Sequence, residues 1–419
     1  MLLLFWLEMA CAAFLVGCLL CFFLLSLFLR REKHEGVHIP AAAPQTRFAV
    51  IIPARNESRV IEGNLRALQN ADYPAELLKT YVIVESMEDP TVEICKRYPN
   101  TEIYLRRNYE RAGKGPALDE CLKSIFATDE QFDAVLLLDA DNVITHRFLS
   151  RLNDAFVAGY DAACGKRNNK DWNASATSAA SGLTFMVINT LQNKAKAERG
   201  MNVMFTGTGF YIRYDILKKL GGWPFSTMTE DYEFSTYALC NGITTTYLED
   251  AIYYDEQPAG LWQSIIQRTR WVKGFFSVRC RYRRMKKTYA KNKPKSKDIR
   301  FMKLGTVPML AAAIDIVAYL LLVIAGITYT AIAQNGWLWS YLVRLGVLLG
   351  AVYALIALFT VWLFHTEKKD ISITRWNKIK TVFFHPVYLF TYLIAICRIP
   401  LIKNKWEVIE HKCSVEPIE

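Results

Sequence analysis

Three short clusters of polar side chains could do chemistry together. The first is Asp139-Ala140-Asp141, directly after the apolar run AVLLL. On extended chain a spacing of two points both carboxylates the same way. Adjacent carboxylates repel. A divalent cation carrying diphosphate oxygens would relieve that repulsion, because Mg2+ takes one or two carboxylates and completes its shell with phosphate oxygens and water. Alone the pattern is weak, since Asp is common in turns. The second cluster is Thr229-Glu230-Asp231, opening the helical stretch DYEFSTYALC with Thr229 as its N-cap. A carboxylate there can take the proton of a hydroxyl group; the plainer role is to balance the helix dipole. The third is Gln267-Arg268-Thr269-Arg270-Trp271. Helix positions i, i+3 and i+4 share a face, so Gln267, Arg270 and Trp271 converge. Arginine suits a leaving diphosphate through forked hydrogen bonds, and tryptophan offers a plate for a sugar ring. The plainer reading is an amphipathic interfacial helix, with Trp and Arg at headgroup depth.

These clusters need a scaffold. From Thr46 to Trp271 short β-rich runs alternate with helical ones. FAVIIPA (48–54), TYVIVES (80–86), EIYLR (102–106) and AVLLLD (134–139) read as strands, with helices over 59–69 and 116–126 between them. Such alternation predicts an α/β domain with a mostly parallel sheet covered by helices on both faces. Ligands in such folds bind beyond the carboxyl ends of the strands, where the acidic residues lie.

Apolar and charged residues are segregated along the chain. The hydrophobic fraction is 52% and the charged fraction 22%, and the apolar residues concentrate at the two ends. Leu2 to Leu29 is apolar apart from Glu8 and Ser26, long enough to cross a bilayer, and lacks the short core and cleavage site of a signal peptide. Arg30, Arg31 and Lys33 follow it and predict a cytosolic position for the next segment. Arg279 to Lys303 is strongly basic and reads as a juxtamembrane segment over an anionic leaflet. Runs 307–333 and 338–364 read as two spans joined near Asn335 and Gly336, with Asp315 inside the first. Run 382–402 contains His385, Pro386 and Arg398 and has Lys378, Lys380, Lys403 and Lys405 on its flanks, so it reads as either a span or a re-entrant, interfacial segment. The expected parts are thus a transmembrane helix (1–30), a soluble domain (46–275), a basic interfacial segment (276–304), a membrane region (305–402) and a tail (403–419).

The net charge of +11 is read as membrane-facing, because Lys and Arg flank apolar runs. No nucleic-acid-binding signature appears, and nucleic acid is excluded as a partner. The ten cysteines show no disulfide framework. Cys18 and Cys21 are spaced as a CxxC, but the residues between are both Leu in an apolar run, where a metal would have no polar support. A reducing cytosol fits this usage.

The order of motifs resembles membrane-integrated family 2 glycosyltransferases, the group that includes cellulose, hyaluronan and poly-N-acetylglucosamine synthases. The matching pieces are VIIPARNE, VESMEDPT, GKGPALD, LLLDAD, TGTGFYIR, GGWPFSTMTEDYE, YDEQP and QRTRW. The resemblance implies a Rossmann-like GT-A fold plus transmembrane helices in the cell membrane, with the catalytic domain cytosolic. It implies inverting transfer from a UDP-sugar, aided by Mg2+ or Mn2+, with membrane lipids around the enzyme. Asp231 would be the catalytic base. Asp139 and Asp141 would bind metal, Asp139 also the nucleotide. Arg270 would hold the diphosphate and Lys114 assist it. Glu57 and Glu85 would contact the base or ribose, and Gln267, Trp271 and Glu230 the acceptor. Family members usually carry Asp where this chain has Glu85, while Asp89 keeps the second acidic residue; this puts the donor's identity in doubt. Three functions compete: synthesis of a growing polysaccharide, a single transfer making a glycolipid, and an inactive membrane scaffold. The presence of Asp139, Asp141, Asp231, Arg270 and Trp271 speaks against the last.

Overall fold

A computed structural model describes residues 2–31, 39–108, 113–293, 295–332 and 337–401. The expected turn at Asn335 and Gly336, the basic flanks Lys33, Lys403 and Lys405, and the tail 403–419 lie outside the described residues. The chain divides into two compact units, Met1–His34 with Thr288–Thr366, and Glu35–Lys287 with Glu367–Glu419.

The larger unit is built on an eight-stranded sheet of order β3-β2-β1-β4-β7-β6-β8-β5. Strands β1 (Phe48–Pro53), β2 (Leu78–Val84), β3 (Thr101–Leu105) and β4 (Ala134–Leu137) run parallel, in the expected runs with shifted ends. Beyond β4 the sheet is mixed. β7 (Phe210–Arg213) lies antiparallel between β4 and β6 (Ala162–Asn169), β6 pairs parallel with β8 (Thr245–Asp255), and β5 (Val143–Ile144) is antiparallel to β8. The expectation of a mostly parallel sheet therefore holds only for the N-terminal half. Helices still separate β5, β6, β7 and β8 along the chain, so strand–helix alternation alone does not reveal that β7 and β5 enter antiparallel.

Strand residues alternate between faces, and both faces are covered. Phe48, Val50 and Ile52 join one apolar core, whereas Ala49 and Ile51 join the other. The first core is closed by α2 (Ile61–Gln69), α3 (Pro90–Cys95) and α5 (Phe148–Val157). The second is closed by α4 (Lys114–Phe126), α8 (Tyr214–Leu220) and α9 (Glu230–Asn241). Near the second core, α6 (Ala176–Val187) continues through a π-helical segment, Ile188–Lys194, into the short α7 (Ala195–Ala197). α10 (Leu261–Arg281) follows β8, and α11 (Arg283–Asn292) is basic with no buried residue. The smaller unit holds α1 (Leu2–Arg31), α12 (Lys297–Ile332) and α13 (Trp337–Thr366); α1 packs along α12, and Arg344 of α13 lies over the Phe5 ring of α1 at 4.9 Å. Asp315 lies on α12.

The last helix, α14 (Arg375–Arg398), belongs to the larger unit. Together with Leu342–Thr366 of α13, it is long and apolar enough to cross a membrane. Yet it packs along α6 and α10. The lead-in is tied to β6 by Lys166 Nζ on Asp370 Oδ2 (2.6 Å) and by Asn168 Nδ2 on the Asp370 carbonyl (2.8 Å). Its first turn is held by Asn173, whose Oδ1 accepts from the Thr374 amide at 2.8 Å. Further along, Arg268 of α10 is wholly buried under it. That guanidinium donates to the Tyr388 carbonyl (2.7 Å) and to Thr391 Oγ1, and stacks 3.8 Å from the Tyr388 ring centre. Near the end of α14, Arg398 lies over Trp262 of α10 at 4.2 Å.

Candidate active site

Asp139 and Asp141 leave the end of β4 in a turn, not on extended chain. The Asn142 amide donates to the Asp139 carbonyl at 3.0 Å, the hydrogen bond of a tight turn. The two carboxylates accordingly have different partners. Asp139 Oδ1 accepts from Lys114 Nζ at 2.5 Å, and its side chain keeps 37% exposure. Asp141 is buried; its Oδ2 accepts from the Glu256 amide (2.8 Å) and its Oδ1 from Asn142 Nδ2 (3.2 Å). The Asp139 amide donates to Thr208 Oγ1 at 2.8 Å, which locks the turn to the loop before β7.

Lys114 joins this turn to the second cluster. It begins α4, and its ammonium also donates to the Gly207 carbonyl at 2.7 Å. Gly207 has φ +88, and a Cβ built there would lie 3.8 Å from Asp231 Oδ2. The Asp231 carboxylate therefore stands over the loop that Lys114 holds. Burial opposes the Lys114 charge, but Asp139, then Glu230 and Asp231, override it and raise its pKa. Both neighbouring acids are raised. Burial, then the Asp231 charge beside it, pushes Glu230 up to about 8. Asp231 is also raised by burial, against the opposing pull of Lys114 and Arg167.

Thr229 occupies the N-cap position of α9, but its hydroxyl makes no cap hydrogen bond. It is pressed against α10 instead. A Cβ on Gly274 would lie 2.4 Å from Thr229 Oγ1 and 2.5 Å from its Cγ2. This close approach brings the third cluster to the second, because Arg270 and Trp271 lie one turn before Gly274 on the same helix. Gln267, Arg270 and Trp271 are all half-buried, and the Trp271 ring meets Phe185 of α6 edge-on at 5.7 Å. Gly274→Ala should push α10 off Thr229, costing about 1–3 kcal/mol of stability. Thermal melting checks this, and adding Thr229→Ala should recover part of the loss.

The expected nucleotide contacts lie at the ends of β1 and β2. Glu85 is held between Arg55 Nε (3.0 Å) and Arg106 NH1 (3.2 Å). The Glu57 amide donates to Thr91 Oγ1 at 3.0 Å. Asp89 is buried and structural: it accepts from the Asn56 amide (2.7 Å) and caps α3 through the Thr91 amide (2.9 Å).

Several side chains at the site carried no role in the sequence reading. Asn142, Thr208 and Phe185 are among them, as are Arg167 and Asp255. Arg167 Nε donates to Asp255 Oδ2 at 2.7 Å, and its NH1 to the Thr206 carbonyl at 2.8 Å. The available signal was two successive cations, Lys166 and Arg167, in a strand that is otherwise uncharged.

A divalent cation fits the donor set. Mg2+ and Mn2+ favour hard oxygen ligands, and Asp139 offers a partly exposed carboxylate two residues before the buried one of Asp141. Among the described residues no three His, Cys, Asp or Glu side chains form a complete metal cage. The protein would thus supply two carboxylates, the diphosphate and water the rest.

A family model described as "Glycosyltransferase like family 2" matches residues 44–274. The chain is 30% identical over 241 residues to "Probable glycosyltransferase YdaM" of Bacillus subtilis (strain 168), covering 54% of this chain and 55% of that protein. It is 24% identical over 263 residues to the beta-monoglucosyldiacylglycerol synthase of Trichormus variabilis, covering 60% and 53%. It is 26% identical over 240 residues to a cellulose synthase catalytic subunit of Pseudomonas fluorescens, covering 55% and 31%. The chain spans about half the length of the first two of these curated relatives. Among solved structures it is similar to the mannosyltransferase PcManGT from Pyrobaculum calidifontis in complex with GDP-Man and Mn2+, with TM-score 0.62 and 18% identity over 95% of this chain and 99% of that one. At that identity the likeness bears on the fold, which is Rossmann-like and of GT-A type.

Proposed function

Because the chain belongs to glycosyltransferase family 2, we propose that it transfers a hexose, with inversion, from a nucleoside-diphosphate sugar to a hydroxyl acceptor at a membrane surface. The observation that carries this reading is the Lys114 ammonium, which touches both the Asp139 carboxylate and the loop beneath Asp231. That contact supports reading a phosphate-side group and a candidate base as neighbours around the Gly207 loop.

The mechanism follows from charge development. The bond from the anomeric carbon to the diphosphate oxygen breaks, and that oxygen leaves with the electron pair. Lys114 and Arg270 stabilise the charge where it builds. From the opposite side the acceptor oxygen bonds to the anomeric carbon while Asp231 takes its proton. Burial works against the charge on Asp231, while Lys114 and Arg167 both favour its ionised form, the form that acts as base. Trp271 and Gln267 line the acceptor side, and Glu57 and Glu85 the nucleoside side. A divalent cation on Asp139 and Asp141 would neutralise the diphosphate.

We take UDP-sugars as the donors. The test is nucleotide release across UDP- and GDP-sugars, with and without acceptor. Release from none of them would overturn the reading. Two acceptor readings have support. Elongation of a polysaccharide is favoured by the QRTRW cluster and the likeness to a cellulose synthase subunit. A single transfer to a lipid is favoured by the likeness to a beta-monoglucosyldiacylglycerol synthase, which covers more of the chain. A labelled donor yields a ladder of products in the first case and one product in the second.

Membrane attachment is supported by the apolar helices and by one face of α14. Trp376, Ile379, Phe383, Val387, Phe390 and Ile394 are exposed at steps of three and four, a single stripe. The opposite face, with Thr381, His385, Tyr388 and Thr391, is buried on α6 and α10. A helix fastened along its length to an α/β body does not cross a bilayer, so we place α14 in the interface with its stripe in the acyl boundary. Spin labels at 379, 383, 387, 390 and 394 in proteoliposomes should all report the same shallow depth. A depth profile that peaks near 387 would show a span instead.

A further inference from the structure

The geometry points to Arg167 as the residue that positions both the base and the acceptor plate, with Asp255 fixing its orientation. This rests on the reading of Asp231 as base and Trp271 as acceptor contact. Arg167 sits on β6 opposite the end of β8, where parallel pairing sets Arg167 beside Tyr253 and Asn169 beside Asp255. Its side chain is 11% exposed and that of Asp255 is 3% exposed. A buried guanidinium persists only when its hydrogen bonds are met; here two acceptors take them and an aromatic ring covers one face, in three directions.

Asp255 Oδ2 accepts from Nε at 2.7 Å and from NH2 as well, a forked pair that fixes the plane of the guanidinium. Gln257 Nε2 also donates to that oxygen at 2.8 Å, and Ser181 Oγ donates to Gln257 Oε1 at 2.6 Å, so Asp255 is itself held from α6. The second direction is the Thr206 carbonyl, 2.8 Å from NH1. Thr206 precedes Gly207, the residue under the Asp231 carboxylate. The third is the Phe185 ring, with the guanidinium carbon 3.8 Å from its centre. Phe185 is the ring against which Trp271 stands edge-on. One planar cation thus braces the loop beneath the base and the support of the tryptophan. Immediately after Asp255, the Glu256 amide donates to Asp141, so the same corner reaches the acidic turn. The charge of Arg167 also favours the ionised form of Asp231, as does that of Lys114.

A positioning role and a structural role predict different outcomes when the pair is replaced by apolar residues. Removing one partner of a buried ion pair destabilises strongly, whereas replacing both with apolar residues of similar volume is often neutral. We compare the wild type with R167K, R167M and R167M/D255L in the full chain. The readouts are melting temperature, nucleotide-sugar affinity, kcat, and KM for acceptor. R167M should melt lower, bind donor within about threefold of wild type, and lose about 100-fold in kcat, the scale of a 1 Å misplacement. R167K should recover about tenfold of that loss, since it keeps the charge but not the fork. R167M/D255L should recover the melting temperature while kcat stays low. Recovery of kcat along with stability in the double variant would make Arg167 a structural partner only and overturn the inference. An R167M enzyme with wild-type kcat would do the same. A wild-type chain that releases no nucleotide from any donor overturns the transferase reading, and this inference with it.

Discussion

Asp231→Asn should leave nucleotide-sugar binding intact and slow transfer by about 10²–10⁴-fold, the range lost when a positioned general base is removed. The substitution keeps the size of the side chain and its place above the Gly207 loop, so donor affinity measured by calorimetry is the control for folding. The amide cannot accept the acceptor's proton. The pH dependence of the wild type sharpens the test. Burial raises the Asp231 pKa above its ordinary value, so kcat should fall as pH drops through a limb lying above the usual carboxylate range. The sign is that of a base: protonated at low pH and inactive, ionised at higher pH and active. A variant with wild-type kcat would remove Asp231 from the mechanism and turn attention to Glu230, its buried neighbour.

Removal of divalent cations should abolish transfer, with a loss on the order of 10³-fold, because a metal contributes several kcal/mol of charge stabilisation at a diphosphate leaving group. Activity should return on titration with Mn2+ or Mg2+. Asp141→Asn should need a higher concentration of either ion, because it withdraws one of the two carboxylates. Asp141 is buried and hydrogen-bonded to Asn142 and to the Glu256 amide, so its melting temperature must be measured in parallel. Full turnover in chelator, by a folded enzyme with unaltered donor affinity, would mean that Lys114 and Arg270 alone carry the leaving-group charge.

The residues nominated for chemistry came from the chain itself, and the scaffold of its first half was legible there. β1, β2 and β4 run through the apolar stretches where periodicity puts them, because a strand buried on both faces must be apolar whatever lies beside it; β3, at the sheet edge, is only partly buried. The order of Asp139, Asp231 and Arg270 along the chain was enough to nominate them. Three things were decided only by tertiary structure. The Asp139–Asp141 segment is a turn, because Asn142 and Thr208 bind it from outside the strand. Arg167 and Asp255 form a buried pair, although they are far apart in the chain and neither stood out as a partner of the other. The apolar run that read equally as span or interfacial segment became a helix packed on α6 and α10, with buried Arg268 beneath it. Hydrophobic periodicity reports which face of an element avoids water. It does not report whether protein or lipid covers that face, nor which distant group answers a buried charge. Those are properties of the packed assembly, and only the packing determines them.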